Sequence, residues 1–172
     1  MKASKTLSTT LQSVLVDLIE LNIQGKQAHW NVVGKNFRDL HLQLDEIVAA
    51  ARVFADEVAE RMRALHALPD GRSTTVAAST SLEQYPGGLV DTKDVAKLVV
   101  ARLEGTVATM RTVHDEVDEE DPTTADILHA VIAKLEQFAW MVDAENLSPT
   151  ANVTEPAAAK AGPGKTSAAT AK

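Results

Sequence analysis

Hydrophobic residues recur every three or four positions along four long segments of the chain, and this period predicts four α-helices. The predicted helices cover residues 6–33, 36–68, 92–119 and 122–147. An alternating pattern, which would indicate a β-strand, fits none of these segments. The second helix would be about 50 Å long at 1.5 Å per residue, and helices of that length are typical of bundles.

Glycine, proline and small polar residues mark the ends of the predicted helices. Gly34 is placed to end the first helix in a left-handed conformation, and Asn36 is placed to cap the second. The Pro-Asp-Gly run at 69–71 is expected to end the second helix, and either Asp91 or Thr92 to cap the third.

The connection over residues 70–90 is unusually long for a compact domain, and we expect it to hold a short helix near residues 76–78. A link of this length can also cross a bundle and join two parallel helices. The sequence therefore predicts an all-α four-helix bundle over residues 1–147 with a long crossover connection. Residues 148–172 have almost no large apolar side chains and are predicted to form a flexible tail rich in Ala, Pro and Lys.

Composition narrows the class of protein. Of the 172 residues 45% are hydrophobic but only 3% are aromatic, which favours closely packed aliphatic helices over a β-sandwich. The absence of cysteine excludes disulfides, cysteine-ligated zinc, iron–sulfur clusters and thiol catalysis. No apolar stretch approaches the roughly 18–20 residues of a membrane span, and Asp17 and Glu20 interrupt the region that a signal peptide would need. We therefore expect a cytoplasmic protein with no membrane partner.

Four potential metal ligands lie on one face of the second predicted helix. His41 and Asp45 are four residues apart, as are Asp56 and Glu60, and residues with this spacing share a helix face. At 100° per residue all four fall within about a third of the helix circumference, which is an unexpected place for solvated side chains. Together with His29, near the end of the first helix, they offer imidazole and carboxylate donors that suit iron or manganese, with zinc as a competitor.

The separation of the two pairs along the helix restricts how they can bind a metal. Asp45 and Asp56 are 11 residues apart, a rise of about 16 Å, whereas metal–ligand bonds are about 2.0–2.2 Å long. Each chain therefore holds two half-sites, or each pair is completed by another helix.

A twofold axis would resolve this geometry. Two antiparallel copies of the helix would join the first pair of one copy to the second pair of the other, giving two equivalent sites. The alternatives are a solvated face, which is common for acidic residues four apart, and structural hydrogen bonding.

The segment HWNVVGKNFRDLHLQLDEIV, which begins at His29, and the later segment DEVAER resemble the Dps family, the DNA-binding proteins from starved cells. These are small members of the ferritin superfamily. In that family a His followed by Trp, a His-x-x-x-Asp and an Asp-x-x-x-Glu form a ferroxidase centre shared between two subunits. The residue types and spacings match here at His29, His41, Asp45, Asp56 and Glu60.

The resemblance implies a ferritin-like bundle that assembles into a hollow shell of twelve subunits. Fe(II) would be oxidised at the twofold sites, preferentially by hydrogen peroxide or else by dioxygen, and stored as a ferric mineral, with no organic cofactor. Such a protein would protect DNA from oxidative damage. No Glu-x-x-His pair of the kind used by larger ferritins occurs in the sequence, which favours the intersubunit site.

We also predict roles for a tryptophan beside the motif and for three aspartates farther along the chain. Trp30 is expected to pack over the centre and intercept stray oxidising equivalents, or to be an ordinary core or interface aromatic. Asp118, Asp121 and Asp126 lie between the third and fourth helices, in a region that lines threefold pores in the family, where they would concentrate Fe²⁺. The alternative is that these carboxylates are solvated helix caps.

Three other histidines lie outside the motif. They are expected to be solvated or structural, although Asp126 and His129 form a pair spaced by three residues; the three are His66, His114 and His129.

DNA binding would depend on the chain termini, because the formal net charge of −7 makes the body acidic and repulsive to duplex DNA. The candidate contacts are Lys2, Lys5, Lys160, Lys165 and Lys172. Twelve tethered copies could bind by avidity in a salt-sensitive way, which would place the protein at the nucleoid. The alternatives are a solubilising tail, a nucleoid architectural protein with a merely structural metal site, and a helical assembly that binds zinc.

Overall fold

The computed structural model describes residues 1–151 of the chain. Its helices are α1 (Lys5–Asn31), α2 (Phe37–Ala64), α3 (Ser73–Ser79), α4 (Thr92–Glu120) and α5 (Pro122–Asp143). The four long helices form a bundle in which α1 and α5 each pack against both α2 and α4. The crossover that contains α3 joins α2 to α4. The predicted all-α four-helix bundle, with a long crossover that carries a short helix, is confirmed.

The connection from α1 to α2 differs from the prediction. The helix α1 ends at Asn31 rather than at residue 33, because Val32–Val33 forms a short strand, β1, that pairs in parallel with β2 (Val90–Asp91). Gly34 follows β1 instead of ending the helix. Its φ is +121°, and a Cβ there would lie 2.7 Å from Oδ2 of Asp91, so only glycine fits this turn.

The ends of α2 are also shifted. The helix has 28 residues, or about 42 Å, and it ends at Ala64 because His66 adopts a left-handed conformation with φ 60° before the predicted Pro-Asp-Gly stop. Asn36 precedes the helix as predicted, but its side chain makes no capping hydrogen bond. Its backbone is left-handed, with φ 57°, and its amide donates instead to Oε2 of Glu145 at 3.3 Å.

The third and fourth predicted helices are close to α4 and α5. Asp91 accepts a hydrogen bond from the backbone N–H of Lys93 and so caps α4. Pro122 is the first residue of α5, where its missing N–H leaves no hydrogen bond unmade. The helix α5 ends at Asp143, and a 3₁₀ turn, Ala144–Asn146, occupies most of the remaining predicted span.

A buried carboxylate attaches the crossover to the bundle. Asp17 of α1 is 1% exposed, and it accepts four hydrogen bonds of 2.6–2.9 Å. The donors are the Thr80 hydroxyl, the backbone N–H and hydroxyl of Ser81, and the Thr109 hydroxyl of α4. Because these donors come from both the crossover and α4, Asp17 fixes the path of the crossover across the bundle.

Two predictions about partners concern membranes and DNA. None of the helices within residues 1–151 combines the length and apolarity that a bilayer crossing requires. Lys2 and Lys5 are exposed. Lys160, Lys165 and Lys172 lie outside the described residues, and the boundary of the tail at residue 148 stays a prediction.

Candidate metal centre

The end of α1 and the start of α2 bring two of the predicted ligands together. His29 is 7% exposed, and its ring stacks on that of His41 with centroids 3.7 Å apart. Nδ1 of His29 lies 2.9 Å from the backbone oxygen of His41, and Nδ1 of His41 lies 3.0 Å from the backbone oxygen of His29. A carbonyl oxygen only accepts, so each Nδ1 carries the proton and each neutral ring keeps the lone pair of Nε2 for a metal.

The helices create this reciprocal contact through their packing. Gly25 allows α1 to approach α2 closely, since a Cβ at this position would lie 2.8 Å from Cγ2 of Val48. The helix α1 ends two residues after His29, so the His29 carbonyl has no partner within its own helix and can accept from His41. Phe37, at the start of α2, lies with its ring centroid 5.0 Å from that of His41.

Asp45 adds an anionic oxygen beside the histidine pair. Its Oδ1 is 3.4 Å from Nδ1 of His29 and also forms an ion pair with the ammonium of Lys26. The hydrogen bond from Lys26 is the largest influence on the pKa of Asp45; it outweighs the opposing effect of burial and holds that pKa below 3.8. The carboxylate is therefore ionised at neutral pH and available to a cation.

Asp56 and Glu60 lie apart from these groups, near the other end of α2. Both are exposed, and an open cavity of about 470 Å³ borders Asp56. Within residues 1–151, no group of three or more His, Asp or Glu side chains converges closely enough to hold a metal ion. His29, His41 and Asp45 are therefore neighbours that do not form a metal-binding group by themselves, and the second carboxylate pair lies apart from them. Completion of the site by a twofold partner stays a prediction.

Trp30 follows His29 but does not enter the core. Its side chain is 68% exposed at the end of α1. The alternative of an ordinary core aromatic is therefore wrong, and its packing over a completed centre or at an interface stays a prediction.

The acidic cluster between α4 and α5 divides into two kinds of residue. Asp121 is 5% exposed; Nη2 of Arg61 donates to its Oδ2 at 2.6 Å, and the Thr124 hydroxyl donates to the same oxygen. Burial acts to raise the pKa of Asp121, but the hydrogen bonds from Thr124 and Arg61 outweigh it and lower that pKa below 3.8. Asp121 therefore joins α2 to the α4–α5 junction, whereas Asp118 and Asp126 are exposed and keep the predicted pore role open.

Sequence reasoning missed three side chains that support these groups. Lys26 pairs with Asp45, Phe37 contacts His41, and Arg61 holds Asp121. Two of them carried a local signal, because Lys26 precedes His29 by three residues on one helix face and Arg61 closes the DEVAER segment.

Comparisons with known proteins agree with this architecture. The family model for the ferritin-like domain matches residues 9–147. A DNA protection during starvation protein 2 of Deinococcus radiodurans is 36% identical over 134 residues, covering 78% of this chain and 56% of the relative's own length. A DNA protection during starvation protein of Agrobacterium fabrum is 34% identical, over 83% of this chain and 88% of the relative. The solved structure of Dps from Microbacterium arborescens in the high iron form aligns with TM-score 0.78 and 31% identity, covering 85% of this chain and 98% of that one.

Proposed function

The chain belongs to the Dps family of ferritin-like proteins, and from that premise we propose that it is a ferroxidase that oxidises Fe(II) at sites shared between subunits and stores the ferric product. The observation that carries the proposal is the stacked His29–His41 pair, in which both Nδ1 atoms face backbone oxygens and leave Nε2 for a metal, with the ionised carboxylate of Asp45 next to the His29 ring. These are three donors of the kinds that suit iron. Asp56 and Glu60 supply the further oxygens from a second subunit.

Iron is the substrate in this proposal. Two Fe(II) ions each lose one electron, and hydrogen peroxide takes up both electrons and two protons as its O–O bond breaks and two waters leave. Because both electrons pass to one peroxide, hydroxyl radical is not released. Dioxygen is the alternative oxidant. The anionic oxygens of Asp45, Asp56 and Glu60 favour Fe(III) over Fe(II) and so favour loss of the electron.

Residues of this chain prepare the site before iron arrives. The reciprocal hydrogen bonds between His29 and His41 hold both imidazoles in the tautomer that presents Nε2. Lys26 neutralises Asp45 in the absence of a cation, and its ammonium is displaced when Fe²⁺ takes the carboxylate. The side chains of this half-site therefore hold their positions in the absence of metal, and an incoming cation needs only to displace the Lys26 ammonium from Asp45.

The proposal extends to the assembly. We expect twelve copies in a hollow shell, with the oxidation sites on the twofold axes and the exposed Asp118 and Asp126 lining pores that admit Fe²⁺. A relative's structure is described as the high iron form of a Dps protein, which supports iron as the stored ion.

Oxidation kinetics test the assigned centre. The double variant His41→Ala with Asp45→Ala, mixed with Fe(II) and hydrogen peroxide, should lose at least about tenfold in the rate of ferric absorbance growth, because two donors of each site are gone. Glu46→Ala is the matched control, since Glu46 is exposed on the same turn of α2, and it should oxidise iron at the wild-type rate. Both variants should keep the wild-type mass on size exclusion. Unchanged kinetics in the double variant would reject the centre.

The other function classes give different results in the same assay. A zinc-binding assembly would bind zinc without an oxidant-dependent change in absorbance. A purely architectural nucleoid protein would compact DNA while failing to oxidise iron.

We also propose that the protein contacts DNA through lysines near its two ends, which are Lys2, Lys5, Lys160, Lys165 and Lys172. This is supported by the acidic excess of the rest of the chain, which leaves few other basic contacts, and by the relatives named as DNA protection proteins.

A further inference from the structure

A second pair of histidines lies between α4 and α5. The ring centroids of His114 and His129 are 4.4 Å apart, with the ring planes tilted by 32°. Both residues border an open cavity of about 450 Å³, together with Arg111, Asp115 and Glu136. These histidines are on different helices from His29 and His41, so the proposed oxidation centre does not use them.

Each ring has a carboxylate beside its Nδ1 atom. Nδ1 of His114 lies 3.2 Å from Oδ1 of Asp115, and Nδ1 of His129 lies 3.9 Å from Oδ1 of Asp126. Since a carboxylate accepts, the proton of neutral His114 sits on Nδ1 and the lone pair sits on Nε2. Metal-ligating histidines in proteins usually donate from the non-ligating nitrogen to a carboxylate or carbonyl oxygen, and His114 does so to Asp115, whereas 3.9 Å is too long for a hydrogen bond from His129.

The Nε2 atom of His114 lacks a partner. It is buried, and it makes no hydrogen bond within the described residues. A buried polar atom that is left unsatisfied costs free energy, and His129, whose ring lies alongside, is 60% exposed and able to reorient. The arrangement therefore has an acceptor nitrogen, a second imidazole and an open cavity at one place.

We propose that His114 and His129 bind a divalent metal ion that favours imidazole ligands, such as Zn²⁺, through their Nε2 atoms, with water completing the coordination shell. Imidazole nitrogens suit Zn²⁺, Cu²⁺ and Ni²⁺, and Fe²⁺ ranks below all three in affinity for such a site. No third His, Asp or Glu ligand converges on the pair in residues 1–151, and Glu136 is engaged by Arg111. The site is thus a two-imidazole site that prefers zinc to iron, chemically distinct from the carboxylate-rich centre at the α1–α2 junction.

Calorimetric titration of the assembled full-length protein with zinc chloride tests the proposal. All proteins carry His41→Ala and Asp45→Ala, so that the proposed iron centre does not contribute. His129→Gln should weaken zinc binding at least about tenfold, and because its side chain is largely exposed the variant should fold. His114→Gln should have the same effect. The matched control is His66→Asn, at an exposed left-handed turn position that asparagine tolerates, and it should bind zinc as its parent does.

A second comparison separates ligation from general attraction by acidic residues. Asp115→Asn removes the carboxylate that accepts from Nδ1 of His114 and should weaken zinc binding about tenfold. Glu116→Gln removes an exposed charge two residues from His114, on another face of α4, and it should change the affinity little. Zinc binding that survives His129→Gln and His114→Gln, or that falls equally in Asp115→Asn and Glu116→Gln, would overturn the proposal.

Discussion

Replacing Asp17 with alanine should destabilise the bundle strongly. The carboxylate is 1% exposed and accepts four hydrogen bonds, one of them from the backbone N–H of Ser81. Hydrogen bonds to a charged group contribute about 1.5–3 kcal/mol each, and a buried donor left alone costs about 1–3 kcal/mol. The three hydroxyl donors can recover other partners, and removal of a buried charge also relieves its desolvation, so the net loss should be about 3 kcal/mol.

Urea unfolding followed by circular dichroism, at one fixed protein concentration, measures this loss. Asp94→Ala is the matched control, because Asp94 is an exposed aspartate of α4 whose one ion pair within residues 1–151, with Lys97, is a surface pair spaced by three residues. Such pairs contribute little, and a carboxylate in the first turn of a helix contributes about 0.3–1 kcal/mol, so the control should lose much less stability than Asp17→Ala. If Asp17→Ala and Asp94→Ala unfold at the same urea concentration, Asp17 does not fix the crossover and the reasoning from its hydrogen bonds is refuted.

Two further predictions concern the junction of α2 with α5 and the chain termini. The pKa of Asp121 is lowered below 3.8, so its ionisation stabilises the fold above about pH 4 and this contribution disappears as the pH falls through the lowered pKa. Asp121→Asn should therefore cost unfolding free energy at pH 7 and progressively less below pH 3.8; a cost that does not change with pH would contradict the ion pair with Arg61. Removal of residues 148–172 should weaken gel-shift binding of duplex DNA at low salt, and wild-type binding should itself fade at physiological salt because the contacts are ionic. Equal binding by the full and truncated chains would remove the tail lysines from the proposal.

Much of the fold follows from the sequence because its helices are long and amphipathic. A stripe of apolar residues repeated over about six to eight turns specifies the buried face of a helix whatever its partner. The length of the 70–90 connection indicates that it crosses the bundle. The pairing of Val32 with Val90 could not be found in this way, since two-residue strands have no period and their partners are distant in sequence. The left-handed conformation of His66 similarly ends α2 before the Pro-Asp-Gly run.

The candidate centre was predictable where it depends on spacing within a helix. His41 and Asp45 share a face by their separation of four residues, and His29 joins them because the short connection brings the end of α1 to the start of α2. The hydrogen bonds of Asp121 depend on the register between α2 and α5. The approach of His114 to His129 depends on the register between α4 and α5. Hydrophobic period alone does not specify either register.

Co-assembly of two inactive variants tests most directly whether the oxidation centre is shared between subunits. One variant carries His41→Ala with Asp45→Ala, and the other carries Asp56→Ala with Glu60→Ala. In a mixed twofold pair, one site loses all four donors and the other keeps all four, so random one-to-one assembly should restore about a quarter of the wild-type oxidation rate. Each variant assembled alone should stay inactive, and co-assembled shells that stay equally inactive would contradict the shared centre.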